Sequence, residues 1–150
     1  MTTSNYLGSA LHELILNGVA FAEIADNAAT SPATEYYLAL HSADPGAAGT
    51  QDTSEATYPG YARISIARDG TRWTVTDRVA ALVGDSQFPE ATSTVSETLT
   101  HFSIGRDATG AGEILYSDEV KGNDGNPQPF EVVSGTRPLL KETVSTITLS

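Results

Sequence analysis

The chain has 150 residues, which is the size of a single domain. It has no cysteine, so disulfides, zinc thiolate sites and cysteine nucleophiles are excluded. Its 19 acidic and 8 basic residues give a formal net charge of −11, which disfavours binding to nucleic acid or to an anionic membrane surface. No apolar run reaches the ~18 residues of a transmembrane helix, and residues 1–5 lack the basic region of a signal peptide, so we expect a product of the cytoplasm.

The first predicted element is an amphipathic helix over residues 4–17. Thr3 or Ser4 can cap its start and Gly18 can end it. Apolar side chains recur along it at helical spacing: Leu7, Leu11, Leu14 and Ile15. This stripe has two possible uses, either packing on the sheet of its own domain or docking on a neighbouring subunit as an assembly interface.

A short polar stretch separates this helix from the rest of the chain. Residues 19–24 are compatible with either an extension of the helix or the start of a strand. Residues 27–34 are small and polar and include Pro32, which is typical of a linker. We therefore divide the chain into an N-terminal helical segment, residues 1–26, and a β domain, residues 35–150.

From residue 35 onward the pattern is that of short strands separated by turns. The predicted strands are 36–41, 61–68, 73–76, one interrupted strand over 80–83 and 87–88, 99–104, 114–120, 130–133 and 144–149. Roughly seven to nine strands of this kind predict a mainly β fold, an antiparallel β-sandwich or barrel with one N-terminal α-helix. Alternating strand–helix units are absent, which argues against a nucleotide-binding α/β fold.

A turn follows the first strand and carries the most suggestive polar residues. Pro45 presets φ and Gly46 accepts positive φ, as a type II turn requires. His41, Ser42 and Asp44 resemble a catalytic set in composition, but strand neighbours point to opposite faces and residues this close in sequence do not converge as a relay. We interpret His41, Asp44, Pro45 and Gly46 as a structural turn in which the histidine hydrogen-bonds the residues that follow it.

No other pattern indicates catalysis, a cofactor or a metal ion. The sequence has no Gly-x-Ser-x-Gly elbow, Walker loop or His-Glu-x-x-His motif. The acidic turns at residues 107–113 and 123–126 lack the ligand spacing of an EF-hand loop. We therefore predict a protein that is not an enzyme and has no catalytic, cofactor-binding or metal-binding residues.

Three aromatic residues leave a carbohydrate-binding role open. Trp73, Tyr58 and Tyr61 could form an aromatic platform for a sugar. A single tryptophan on a strand is more often a core or cross-strand residue. A carbohydrate-binding β module is therefore the third-ranked interpretation of function.

Several sequence blocks carry a resemblance to a known family. The strongest is YLALHSADPGAAGT at residues 37–50, close to a family pattern that reads LYVALHTADPG and is followed by Gly-Thr or Gly-Asn. Further blocks follow in the family's order: NYL at 5–7, YPGYAR at 58–63, FPEAT at 88–92, THFSIG at 100–105 and LY at 115–116. The chain thus resembles small tailed-bacteriophage virion structural proteins, often labelled tail fibre proteins and in some cases head decoration (cement) proteins. It departs from the pattern at Ser103, where Gly is expected, and in residues 123–129.

The resemblance implies a structural component of the virion, either on the capsid surface or in the tail. Without a fibrous repeat, coiled-coil heptads or collagen-like triplets, the sequence favours a capsid decoration protein that stabilises the head shell. A tail or tail-fibre component is the alternative. The expected partners are the major capsid protein and copies of the chain itself, as a trimer or dimer, with no nucleic acid and no membrane.

Overall fold

A computed structural model of the chain describes residues 4–21, 32–142 and 145–148. The architecture is mainly β with an N-terminal helix, which confirms the predicted fold class. Helix α1 spans Asn5–Leu16. The strands within the described residues are β1 Glu35–His41, β2 Ile64–Ala67, β3 Trp73–Thr76, β4 Val79–Leu82, β5 Ser86–Gln87, β6 Glu97–Leu99, β7 His101–Gly105, β8 Ile114–Glu119, β9 Phe130–Val132, β10 Leu139–Leu140 and β11 Thr146–Thr148. Residues 22–24, residues 27–31 of the predicted linker and the proposed boundary at residue 26 lie outside the described residues.

The largest sheet has the strand order β2-β1-β7-β8 and is antiparallel throughout. Strand β1 lies in its interior and is buried at almost every position after Glu35. The sequence predicts a half-buried strand here. It is buried on both faces because the polar loop over residues 42–59 covers the face opposite the hydrophobic core.

Three smaller antiparallel sheets complete the described β structure, with strand orders β11-β4-β3, β10-β5 and β6-β9. The interrupted strand predicted over residues 80–88 is two strands in different sheets, because a turn containing Gly84 at φ +73° redirects the chain between them. The strand predicted over 99–104 changes partner at Thr100, so β6 pairs with β9 whereas β7 pairs with β1 and β8.

One buried hydrophobic cluster joins the helix to all four sheets. It includes Leu16 of α1, Leu38 of the large sheet, Leu82 of β4, Leu99 of β6 and Leu140 of β10. Burial of such side chains is the main stabilising term available to a chain without disulfides. Within the described residues, no helix has the length and apolar character that a membrane crossing requires.

Helix α1 begins at a polar cap and ends at a glycine. The hydroxyl of Ser4 accepts a hydrogen bond from the backbone N–H of Leu7 at 3.2 Å, which satisfies one of the free donors of the first turn. Gly18 adopts φ of +70°, the left-handed conformation that commonly ends a helix.

The helix packs on the hairpin formed by β3 and β4 through a face that the sequence pattern does not reveal. Gly8, His12 and Leu16 are buried and follow one another at four-residue spacing. Gly8 lies against the side chain of Arg78, where an added Cβ would come within 2.4 Å of Cγ. His12 Nε2 lies 3.0 Å from the backbone carbonyl oxygen of Arg78. The absence of a side chain at residue 8 therefore lets the helix approach the hairpin closely.

The predicted apolar stripe is turned partly away from the core. Leu7 is 39% exposed, and Leu11, Leu14 and Ile15 are half-buried. Of these four residues, Ile15 packs against the core cluster. The stripe is thus displaced by about one residue from the face that packs on the chain's own hairpin, because a glycine and a histidine occupy that face.

Candidate functional site

His41 anchors the 42–59 loop to the large sheet. Its ring is fully buried, with Nδ1 2.8 Å from the carbonyl oxygen of Thr53 and Nε2 2.8 Å from Ser103 Oγ. The expectation that His41 bonds the turn directly after it is therefore wrong. Its partners are a residue later in the loop and a residue on the neighbouring strand β7. Ser103 stands where the family pattern has glycine, and in this chain its hydroxyl supplies a partner for the imidazole.

The hydrogen-bond partners determine which ring nitrogen of His41 carries the proton. Because Nδ1 faces a carbonyl oxygen, it must be the N–H donor, and Nε2 then accepts from the Ser103 hydroxyl. This is the connectivity of a serine–histidine pair in hydrolases. Both side chains have no exposed surface, however, so a substrate cannot reach the hydroxyl.

Burial lowers the pKa of His41 below its ordinary value, despite the opposing effect of its hydrogen bond to the Thr53 carbonyl. The unfolded chain, where a histidine pKa is about 6.5, therefore binds this proton more readily than the folded chain. We expect the contribution of His41 to the free energy of unfolding to be complete above about pH 6.5. It should decrease as the pH falls from there toward the lower pKa of the folded state.

Urea unfolding measured between about pH 7.5 and pH 5 checks this expectation. The His41→Gln variant should have a flatter dependence on pH than the wild type. Equal slopes in the wild type and His41→Gln would contradict the assignment of the pH dependence to His41.

A buried ion pair forms the second anchor of the loop. Arg63 Nε lies 2.6 Å from Glu55 Oε1 and Nη2 lies 2.8 Å from Oε2, a bidentate arrangement. The side chain of Arg63 is 2% exposed and that of Glu55 is 19% exposed. Tyr61 donates to the same carboxylate at 2.9 Å and accepts the Leu40 backbone N–H at 3.1 Å. The carboxylate is therefore held by three donors, as a buried charge requires.

The remaining guanidinium N–H groups of Arg63 hold a second loop. Nη1 donates to the carbonyl oxygen of Asp107 at 2.9 Å, and Nη2 donates to that of Gly110 at 2.7 Å. Arg63 thus links the 42–59 loop to the turn that connects β7 and β8.

Gln51 is a third buried anchor between the same two loops. Its Nε2 donates to the Tyr37 carbonyl oxygen at 3.1 Å, and its Oε1 accepts the Asp107 backbone N–H at 3.2 Å. The side chain lies directly on Gly105 and Gly112, where an added Cβ would stand 2.1 Å and 2.6 Å from its nearest atoms. These two glycines therefore provide the space that the glutamine occupies.

The predicted structural turn lies at the start of the 42–59 loop. Asp44 Oδ1 accepts the Gly46 backbone N–H at 2.8 Å, Pro45 is buried, and Gly46 has φ of +71°. Ser42 Oγ donates to the Ser54 carbonyl oxygen at 3.2 Å. His41, Ser42 and Asp44 therefore have separate partners and do not converge into a relay.

The aromatic platform considered from the sequence does not form. Trp73 and Tyr58 are 3% and 1% exposed and belong to the hydrophobic core. Tyr61 is partly buried and stacks on Phe88 with ring centroids 6.3 Å apart. Among the described residues, no group of histidine, aspartate and glutamate side chains is arranged to hold a metal ion.

The outer surface of α1, formed by Tyr6, Leu7 and Val19, is the most exposed apolar area near the helix. These side chains are 71%, 39% and 52% exposed. A shallow groove of about 320 Å³ is lined by Tyr6 and Val19 but not by Leu7, and the ring of Tyr6 meets Phe21 edge-on at 5.8 Å. Apolar surface of this kind, next to a polar rim, is typical of a protein contact.

Comparison with known families identifies the group to which these features belong. The family model described as Podophage GP4 fiber I protein gp80 matches residues 2–126. The chain belongs to this family. The comparison with curated proteins found no match. The match includes α1, the large sheet and all three anchors of the loops, and it confirms the resemblance to virion structural proteins of tailed bacteriophages.

Proposed function

We propose that the chain is a structural subunit of a podophage fibre. The observation that carries this proposal is the family match over residues 2–126, whose description names a fibre protein. This supports the tail-fibre alternative better than the capsid-decoration role that we favoured from the sequence. The absence of a coiled-coil or collagen-like shaft does not oppose the proposal, because a fibre can also contain compact β units.

The buried anchors suit a structural role. His41 bonds the 42–59 loop to strand β7, and Gln51 and Arg63 each bond the β7–β8 turn, so the loops are held in one arrangement. Fully satisfied buried networks of this kind rigidify a fold. We propose accordingly that these polar residues maintain shape and that the chain catalyses no reaction.

Assembly with neighbouring subunits is the second part of the proposal. The outer surface of α1 (Tyr6, Leu7 and Val19) has the exposure that a contact needs, and half-buried Leu11 and Leu14 extend it along the helix. We propose that this surface contacts another copy of the chain, giving a symmetric homo-oligomer such as a trimer or dimer. The net charge of −11 supports partners that are proteins and not nucleic acid.

Gold-labelled antibodies against the purified chain test the position in the virion. The expected result is label at the tail of intact particles, with an antibody against the major capsid protein labelling the head as a control. Label spread over the head surface would instead support the decoration role and refute the fibre proposal.

A further inference from the structure

Strand β8 forms an edge of the large sheet and has a cavity on each of its faces. Within the described residues it pairs with β7 alone. One cavity, of about 370 Å³, lies between β8 and β11, which is itself the edge of a second sheet. We name it the β8–β11 cavity. It is lined by Phe102, Tyr116, Ser117, Asp118, Lys121 and residues 146–148.

The other cavity, of about 290 Å³, is lined mainly by polar and acidic side chains, and we name it the acidic cavity. Its lining residues are Asp44, His101, Ser117, Asp118 and Glu119. Residues directly opposite each other in an antiparallel pair share a face of the sheet. Tyr116 pairs with Ile104 and Glu119 pairs with His101, so the two cavities lie on opposite faces of the same strand.

The backbone of β8 can accept another strand along its free side. Directly after β8, Val120 N–H donates to the carbonyl oxygen of Thr100, the residue before β7, at 2.9 Å, and the Val120 carbonyl oxygen accepts the Gln128 N–H at 2.8 Å. Because backbone groups alternate in direction along an antiparallel strand, those of Ser117 and Glu119 point away from β7. The Glu119 N–H is bonded to Asp118 Oδ1 at 2.8 Å, which an incoming strand could displace.

The charge of the acidic cavity determines which kind of strand can bind at this edge. None of the ion pairs among the described residues includes Asp44 or Glu119, whereas Lys121 is paired with Asp118. The acidic cavity is therefore negatively charged, and two copies paired through β8 would bring two such cavities together, which disfavours a second copy at this edge. A basic side chain complements this cavity, and an apolar side chain fits against Tyr116 in the β8–β11 cavity.

We propose that β8 binds an extended segment of another protein in which basic and apolar residues alternate. The segment adds to the sheet as a strand. Its backbone bonds Ser117 and Glu119, its basic side chains enter the acidic cavity, and its apolar side chains enter the β8–β11 cavity. Successive side chains of a strand point to opposite faces, so one extended segment reaches both cavities. This inference stands on the sheet edge and does not depend on the position of the chain in the virion.

Fluorescence anisotropy with labelled synthetic peptides tests the charge preference. A peptide that alternates lysine and valine should bind the full chain, and more weakly as salt is added. A peptide that alternates glutamate and valine should bind at least about tenfold more weakly. Equal binding of the two peptides, or no binding of either, would overturn the proposal.

Substitutions on β8 test the mode of binding. Ser117→Pro removes an outward backbone donor without removing a bond to β7, and edge strands tolerate such a proline. It should weaken lysine–valine peptide binding about tenfold or more, while Ser117→Ala, which keeps the donor, should bind like the wild type. Glu119→Lys should reduce the preference for the basic peptide.

The same hydrogen bonds can be tested on the unaltered chain with a lysine–valine peptide that carries N-methyl groups at alternate residues. This experiment decides the question if the Ser117→Pro variant does not fold. It should lose most of its binding. Retained binding of this peptide would refute strand addition. Self-association of the wild type that Ser117→Pro abolishes would assign the edge to a second copy and would refute the proposed partner.

Discussion

Replacement of Glu55 by alanine is expected to lower the free energy of unfolding by about 3–5 kcal/mol, because the change leaves a buried guanidinium without its counter-ion. The Arg63 side chain is 2% exposed and has two of its bonds to Glu55. Tyr61 loses its acceptor in the same variant. For a domain of this size the loss corresponds to a decrease in Tm on the order of 10 °C.

An exposed ion pair of the same composition provides the control. Arg106 and Glu113 lie 3.5 Å apart and their side chains are 60% and 79% exposed. Glu113→Ala should change the free energy of unfolding by about 0–1 kcal/mol. Denaturant unfolding of both variants measures the difference. Similar small losses in the two variants would show that the buried pair does not stabilise the loops as we infer.

A charge introduced at Leu16 is expected to have the largest effect in helix α1. Leu16 has no exposed surface and packs in the cluster that joins the helix to the sheets. Leu16→Asp both creates a cavity and buries an unpaired carboxylate, so it should cost at least about 4 kcal/mol. That is a large part of the stability of a typical domain, and the variant should unfold at a much lower temperature or fail to fold.

The matched double variant Leu7→Asp with Leu14→Asp changes the side of the helix that is turned away from the core. Because these side chains are exposed or half-buried, the fold should survive with a much smaller decrease in Tm. Light scattering coupled to size exclusion should then show a monomer, in contrast to the oligomer that we propose for the wild type. An unaltered oligomer in the double variant would refute the assembly role of this surface.

The sequence predicts the class of fold because its signals are local. The cap at Ser4 and the glycine at residue 18 act through neighbouring residues, and both appear in the structure. The alternation along 36–41 locates β1, although the strand is buried on both faces. The buried face of α1 could not be predicted from periodicity, since Gly8 and His12 are not apolar. Their burial depends on contacts with Arg78, which is distant in sequence.

Two of the three loop anchors, the Arg63–Glu55 pair and Gln51, were missed for a related reason. Arg63 lies at a position that alternation along its strand assigns to solvent, and Glu55 and Gln51 lie in a polar loop. All three are covered because the 42–59 loop and the β7–β8 turn fold over the large sheet. Of these residues, the family blocks contain Arg63 alone, at 58–63, whereas Gln51 directly follows the block at 37–50. The resemblance does not indicate what Arg63 contacts.

Counting the copies of this chain in purified virions, by quantitative mass spectrometry against the major capsid protein, tests the central claim most directly. Each particle has one tail, and its fibres attach in a number set by the rotational symmetry of that tail. The fibre proposal therefore predicts few copies of the chain per virion, a small multiple of that number. A decoration protein must cover a shell that contains hundreds of capsid subunits. A copy number that approaches that of the major capsid protein would contradict the account.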